Sequence, residues 1–192
     1  MSQNPNGLLE YIPGSHALLV QKNSSPPLEG FTENIKENIH EYAEDSKSEV
    51  EKGNKFLQWI LTRVFEATED DAADAIVDGA NDLGIDAYLP VDFSDNTVRL
   101  FQSKYGSAHS VGAIDQFVQD VIRLKEKEQS KLKRNELQYL WKILNDKKMK
   151  VDLVYITDQC VDDYQNDKVR VMGRQQVYQT LWERIKKPAK GQ

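Results

Sequence analysis

The sequence predicts an α/β fold: a mixed sheet with an antiparallel hairpin at its centre, flanked by helices. Two observations carry this. Apolar residues recur at helical spacing on both sides of a central segment in which the period falls to two. A further apolar strand follows the second helical block, the order expected when helices cover a mixed sheet.

The elements follow in chain order. Residues 1–30 hold Asn4-Pro5-Asn6-Gly7, Pro13-Gly14 and Ser24-Ser25-Pro26-Pro27, which is the chemistry of an arm or linker. Within it, Ala17 to Val20 is a short strand or a packing arm. Residues 31–68 read as one helix or two, with Phe56, Leu57, Ile60, Leu61 and Val64 at helical spacing. Gly53 is the place where continuity is weakest. Thr68-Glu69-Asp70-Asp71 resembles the start of a further turn, with acids at a helix N-terminus. Ile76-Val77 leads into a turn from Asp78 to Gly84. Residues 85–93 read as a strand in which Pro90 requires an open edge or a bulge. Ser94-Asp95-Asn96 is a turn, and residues 97–105 form the clearest strand. Residues 110–129 read as a helix with Val111, Ile114, Phe117, Val118, Val121 and Ile122 on its apolar side. The helical pattern resumes over residues 136–145. Residues 151–157 are a buried-type strand and 169–172 a short last one. Gly173 opens a helix through Val177, Leu181 and Ile185. The expected organisation is an arm at 1–30, one domain at 31–186 and a flexible tail at 187–192.

Composition bounds the function. The chain has 192 residues, 39% hydrophobic and 29% charged, enough to close one sizeable core. No apolar run approaches membrane-spanning length, and the first residues lack a secretory pattern, so a soluble cytoplasmic protein is expected. Cys160 is the single cysteine, so no intrachain disulfide forms. With only three histidines, a structural zinc site lacks ligands. A phosphate-binding glycine loop followed by Lys-Ser/Thr is absent. Charge is uneven. Residues 31–95 carry 17 acids and 5 bases, whereas residues 121–150 carry 10 bases and 4 acids. The basic run from Arg123 to Arg134 either meets phosphates or forms the solvated face of a long helix.

The informative segment is Asp78-Gly79-Ala80-Asn81-Asp82-Leu83-Gly84-Ile85-Asp86, followed by Gln102-Ser103-Lys104. A turn delivers a carboxylate to the start of one strand. The next strand presents Gln102 and Lys104 two positions apart, hence on one face. Polar groups in an otherwise apolar strand are costly unless they are paired or line a cleft. Phosphodiester hydrolysis needs a carboxylate for a divalent metal, further oxygen ligands and a cation beside the reacting water. Asp86, Gln102 and Lys104 supply these roles. The plainer alternative is a half-buried salt bridge within a sheet. Asp78 and Asp82 either bind metal or shape their turn.

This pattern resembles the PD-(D/E)xK nuclease superfamily in its Mrr-like restriction-endonuclease branch. The string DGANDLGIDAY…LFQSKY is more similar still to the N-terminal nuclease-like domain of abortive-infection phage-resistance proteins. The resemblance implies a restriction-endonuclease-like fold and a magnesium- or manganese-dependent endodeoxyribonuclease acting in defence against phage or foreign DNA. It assigns Asp86, Gln102 and Lys104 as catalytic, with metal bound by Asp86, Gln102 and the Ser103 carbonyl. Asp82 joins them, as does an acid from the first helix, Glu51 or alternatively Glu66. Gln102 departs from the wider superfamily, where an acid stands, because an amide brings no charge. DNA contacts are expected from Tyr105, Arg123, Lys125, Lys131, Lys133 and Arg134. DNA is the expected partner, with no membrane association. Homodimers are common among such nucleases, and the domain is usually followed by a larger region; an activating partner is a further option. The alternative is a catalytically inactive nucleic-acid-binding or protein-interaction module on the same fold.

The chemistry also predicts a register. A three-residue hairpin loop, Ser94-Asp95-Asn96, pairs Phe93 with Thr97 and therefore Asp86 with Lys104. Their charged groups would lie within roughly 3–6 Å. A bulge at Pro90 would alter this count.

Overall fold

The computed structural model describes residues 11–12, 17–18, 29–77, 83–92, 96–106, 110–161 and 167–186. Strands β1 (Tyr11–Ile12) and β2 (Ala17–Leu18) form a two-stranded sheet of their own. Helices α1 (Glu29–Ala43), α2 (Glu49–Phe65) and α3 (Glu69–Asp74) follow. Strands β3 (Ala87–Asp92) and β4 (Thr97–Lys104) form a hairpin. Helix α4 (Val111–Glu126), a short 3-10 turn (Gln129–Lys131) and α5 (Asn135–Asn145) lead to β5 (Lys150–Thr157). Strand β6 (Arg170–Met172) and α6 (Arg174–Lys186) complete the described fold.

The second sheet has the order β3-β4-β5-β6. Its first pair is antiparallel and the other two are parallel. This is the mixed α/β sheet flanked by helices that the sequence predicts, but the hairpin lies at one edge rather than at the centre: β5 and β6 both add on the β4 side, which leaves β3 outermost. One face carries Ala87, Leu89, Phe101, Val154 and Ile156 against Phe56, Leu57, Ile60 and Leu61 of α2 and Val177 of α6. The other carries Val98, Leu100, Leu153 and Tyr155 against Ile114, Phe117 and Val121 of α4 and Leu137 and Leu140 of α5. Alternation along β4 thus buries both faces, as a central strand requires.

The helical region at 31–68 is divided, but not at Gly53. An added Cβ at Gly53 would meet nothing within 4 Å, and α2 runs through it. The break falls at residues 44–48, where Ser48 caps α2 by accepting the Glu51 N–H at 3.1 Å. Thr68 caps α3 in the same way, accepting the Asp71 N–H at 3.1 Å. Similarly, the basic run is not one long helix: α4 stops at Glu126, and residues 127–134 fold as a turn before α5.

The hairpin register corrects the expected one. Ala87 pairs with Phe101, Tyr88 with Leu100 and Leu89 with Arg99. Asp92 pairs with Thr97, and the register shifts between Leu89 and Asp92. The shift spans Pro90, whose missing N–H cannot serve the ladder. Asp86 precedes β3, and its N–H bonds to the Phe101 carbonyl, so it is not paired opposite Lys104. The Ser94-Asp95 part of the turn lies outside the described residues, as do Asp78, Asp82 and the tail at 187–192.

Candidate functional site

Asp86 is fixed by its neighbours on both sides. Its carbonyl accepts the Val77 N–H at 2.9 Å, and its own N–H donates to the Phe101 carbonyl at 2.8 Å. An isolated bridge between Ile76 and Ala87 holds the preceding chain against β3. The Asp86 side chain then reaches across to β4, where Oδ2 accepts the main-chain N–H of Ser103 at 2.7 Å. In this contact Ser103 contributes its N–H, not its carbonyl.

Gln102 lies beside this carboxylate and is only 7% exposed. Its Oε1 is buried without a hydrogen-bond partner. On the next strand Tyr155 pairs in register with Gln102 and is fully buried, with its hydroxyl also lacking a partner. Burial raises the Tyr155 pKa above its ordinary value, and the Asp86 charge raises it further. Asp86, Gln102 and Tyr155 therefore gather on the α4/α5 side of the sheet, near the C-terminal ends of β4 and β5. Lys104 is half-buried at the end of β4, two residues beyond Gln102 and on the same face by alternation. Its carbonyl accepts the Asp158 N–H at 3.3 Å.

A turn delivers Asp86. Leu83 and Gly84 have φ values of 57° and 69°. At Gly84 this conformation is matched by crowding, since an added Cβ would lie 3.0 Å from Gln102 Nε2 and 3.3 Å from Asp120 Oδ2. Asp120, on α4, was not among the residues expected from sequence. The available signal was its position: an acid three residues after Phe117 and beside Val121, at the margin of an apolar helix face.

The other expected residues have different surroundings. The Glu51 carboxylate accepts the Lys47 N–H at 2.7 Å at the start of α2. Glu66 ends α2 in a left-handed conformation and lies 3.5 Å from Arg184 Nε. These contacts serve the two ends of α2. Among the described residues no three Asp, Glu, His or Cys side chains gather as a metal site.

The expected nucleic-acid residues divide. Lys131, Lys133 and Arg134 line a cavity of about 420 Å³ together with Lys127 and Leu83. Leu83 belongs to the turn that carries Asp86, so this basic groove adjoins the site. Arg123 pairs with Asp120 at 3.0 Å, and Lys125 is exposed on the last turn of α4. Tyr105 stacks on Phe56 with ring centroids 4.8 Å apart, facing a separate cavity of about 110 Å³ lined also by Asp158, Arg174 and Tyr178. Burial is the first cause of the raised Tyr105 pKa.

No protein family, curated protein or solved structure compared with the chain matches it. Among the described residues no helix is long and apolar enough to cross a membrane.

Proposed function

We propose that the chain is a metal-dependent endonuclease of restriction-endonuclease-like fold that hydrolyses DNA phosphodiester bonds, in defence against phage or foreign DNA. The observation that carries this reading is the buried Gln102 Oε1, without a partner, beside a carboxylate anchored to Ser103. A buried oxygen with no donor costs about 1–3 kcal/mol unless something satisfies it. The donor set is all oxygen, which suits a hard divalent cation such as magnesium or manganese.

Asp86 and Gln102 would hold the cation, with the Ser103 carbonyl as a further ligand. When bound, it supplies Lewis-acid polarisation of the phosphate and acidifies water. The chain's own groups do the rest. The Ser103 N–H fixes one oxygen of Asp86, so the carboxylate needs no reorganisation as charge develops. Lys104 offers three donors at the open end of β4, to orient the attacking water or meet the developing negative charge. Lys127, Lys131, Lys133 and Arg134 offer the phosphate backbone a positive groove next to the Asp86 turn. Binding there would weaken steeply with salt.

A crystal structure with manganese tests the reading. An ion within coordination distance of Asp86 and Gln102 supports it. Full metal loading elsewhere, with Asp86 bare, overturns it in favour of a binding module without cleavage.

A further inference from the structure

We propose that the cavity walled by α1, α2 and α6 is a pocket for one unpaired pyrimidine base of the nucleic-acid strand. The inference rests on the nuclease reading above, because it takes the strand to cross the end of β4 where Lys104 stands. It adds base recognition to a site otherwise built for phosphate and cation.

The cavity lies at the C-terminal ends of β4 and β5, on the α2 and α6 side of the sheet. Tyr105 directly follows Lys104, and Thr157 pairs in register with Lys104. The Lys104 carbonyl also accepts the Asp158 N–H at 3.3 Å. A strand held at Lys104 therefore passes the mouth of this cavity. Open α/β sheets take ligands outside the carboxyl ends of their strands.

Size and chemistry select the occupant. The cavity holds about 110 Å³, somewhat less than the void of about 150 Å³ that takes up a benzene ring. One six-membered ring fits with an edge at the mouth, whereas a fused two-ring purine does not. Phe56, Tyr105 and Tyr178 supply aromatic surface. Phe56 and Tyr105 already stack with their planes 21° apart, and bases stack on such rings.

The polar groups are held in place with capacity to spare. Arg174 is half-buried, and its Nε donates to the Asp158 carbonyl at 2.7 Å. Among the described residues no carboxylate pairs with its guanidinium, an unusual state for a half-buried arginine. The Asp158 carboxylate accepts the Gly106 N–H and Gln159 Nε2, each at 3.1 Å and both on Oδ1. Among the described residues its Oδ2 accepts nothing. The fully buried Thr157 hydroxyl accepts the Gln159 N–H at 3.2 Å and keeps its own proton to donate. An arginine donor beside an open carboxylate oxygen matches a ring edge carrying an acceptor next to a donor. The Watson–Crick edge of every pyrimidine base has that pattern, and unpaired bases are read by it. A purely anionic ligand would instead meet the Asp158 charge.

Fluorescence anisotropy of labelled single strands with the full chain, in chelator, tests this without cleavage. The probes are runs of deoxycytidine and of deoxyadenosine, equal in length and charge. The deoxycytidine strand should bind at least about fivefold tighter, the scale of one added base–aromatic contact. Arg174→Lys keeps the charge without the fork, and Asp158→Asn keeps an acceptor for Gly106. Each should bring the ratio to within about twofold of unity. Lys131→Gln, in the basic groove, should weaken both strands alike and keep the ratio. The ratio is taken within one sample, so a partly unfolded variant weakens both strands and leaves it unmoved. Equal binding by the parent, a preference for deoxyadenosine, or a ratio unchanged in both pocket variants overturns the pocket while leaving the nuclease reading in place. A parent that binds neither strand also overturns the pocket. Manganese-dependent nicking of duplex plasmid, which does not need the pocket, decides the nuclease reading separately.

Discussion

The Asp86 carboxylate accepts the main-chain N–H of Ser103 at 2.7 Å, tying the turn before β3 to the strand that carries Gln102 and Lys104. This contact links fold and site, so substitution should separate the two. Asp86→Ala leaves the part-buried Ser103 N–H without its acceptor and should cost about 1–3 kcal/mol in urea unfolding. Asp86→Asn keeps an acceptor oxygen and should cost less, yet lose metal-dependent cleavage to the same extent. Equal unfolding midpoints for both variants and the parent would mean that the bond is not made in solution.

Tyr42 predicts an alkaline effect. Its hydroxyl donates to Glu69 at 2.7 Å, joining α1 to α3. Burial first, then this hydrogen bond and the Glu69 charge, push its pKa up from 10.0 to about 12. The folded chain therefore holds the proton more tightly than the unfolded one. The contribution is fully present below about pH 10 and is lost as pH rises towards about 12. Tyr42→Phe removes it. The gap in urea midpoint between parent and variant should shrink between about pH 9 and about pH 11.5. A gap that stays constant over that range contradicts the coupling.

The N-terminal arm should be dispensable for folding. β1 and β2 pair with each other in a sheet separate from the four-stranded one, and a two-stranded pair this short is marginal by itself. The core begins at α1, where Ile35 and Ile39 are buried. A chain lacking Met1 to Pro27 should remain soluble and unfold cooperatively. Aggregation or a broad, non-cooperative transition would place the arm within the domain.

Much of this fold was legible because its central elements alternate or repeat cleanly. The strand at 97–105 and the apolar faces of α4 and α5 follow directly from the spacing of Val98, Leu100, Phe117 and Leu140. The alternation that puts Gln102 and Lys104 on one face of β4 was legible. The pairing of the hairpin was not, because the register shifts by one residue across Pro90 and the turn between Asp92 and Thr97 is one residue longer than expected. The helix break also differed from expectation. Gly53 sits in open space within α2, while the Ser48 cap with Glu51 starts a new helix. Asp120 could not be found by motif, since only the packing of α4 brings it to Gly84 and Gln102. The basic run became a groove because α4 stops at Glu126, and a local pattern of lysines does not report where a helix stops.

The most direct test of the nuclease reading is nicking of supercoiled plasmid DNA in manganese by the parent chain and by Lys104→Ala. Lys104 is half-buried at the end of β4 and its side chain belongs to neither core, so the variant should unfold at the parent's urea midpoint. The parent should convert supercoiled plasmid to nicked and linear forms only with the metal present. Lys104→Ala should be slower by about 10²–10⁴-fold, the scale of one positioned proton-handling group. A parent that leaves the plasmid intact, cleavage that persists in chelator, or a Lys104→Ala variant with full activity would contradict the account.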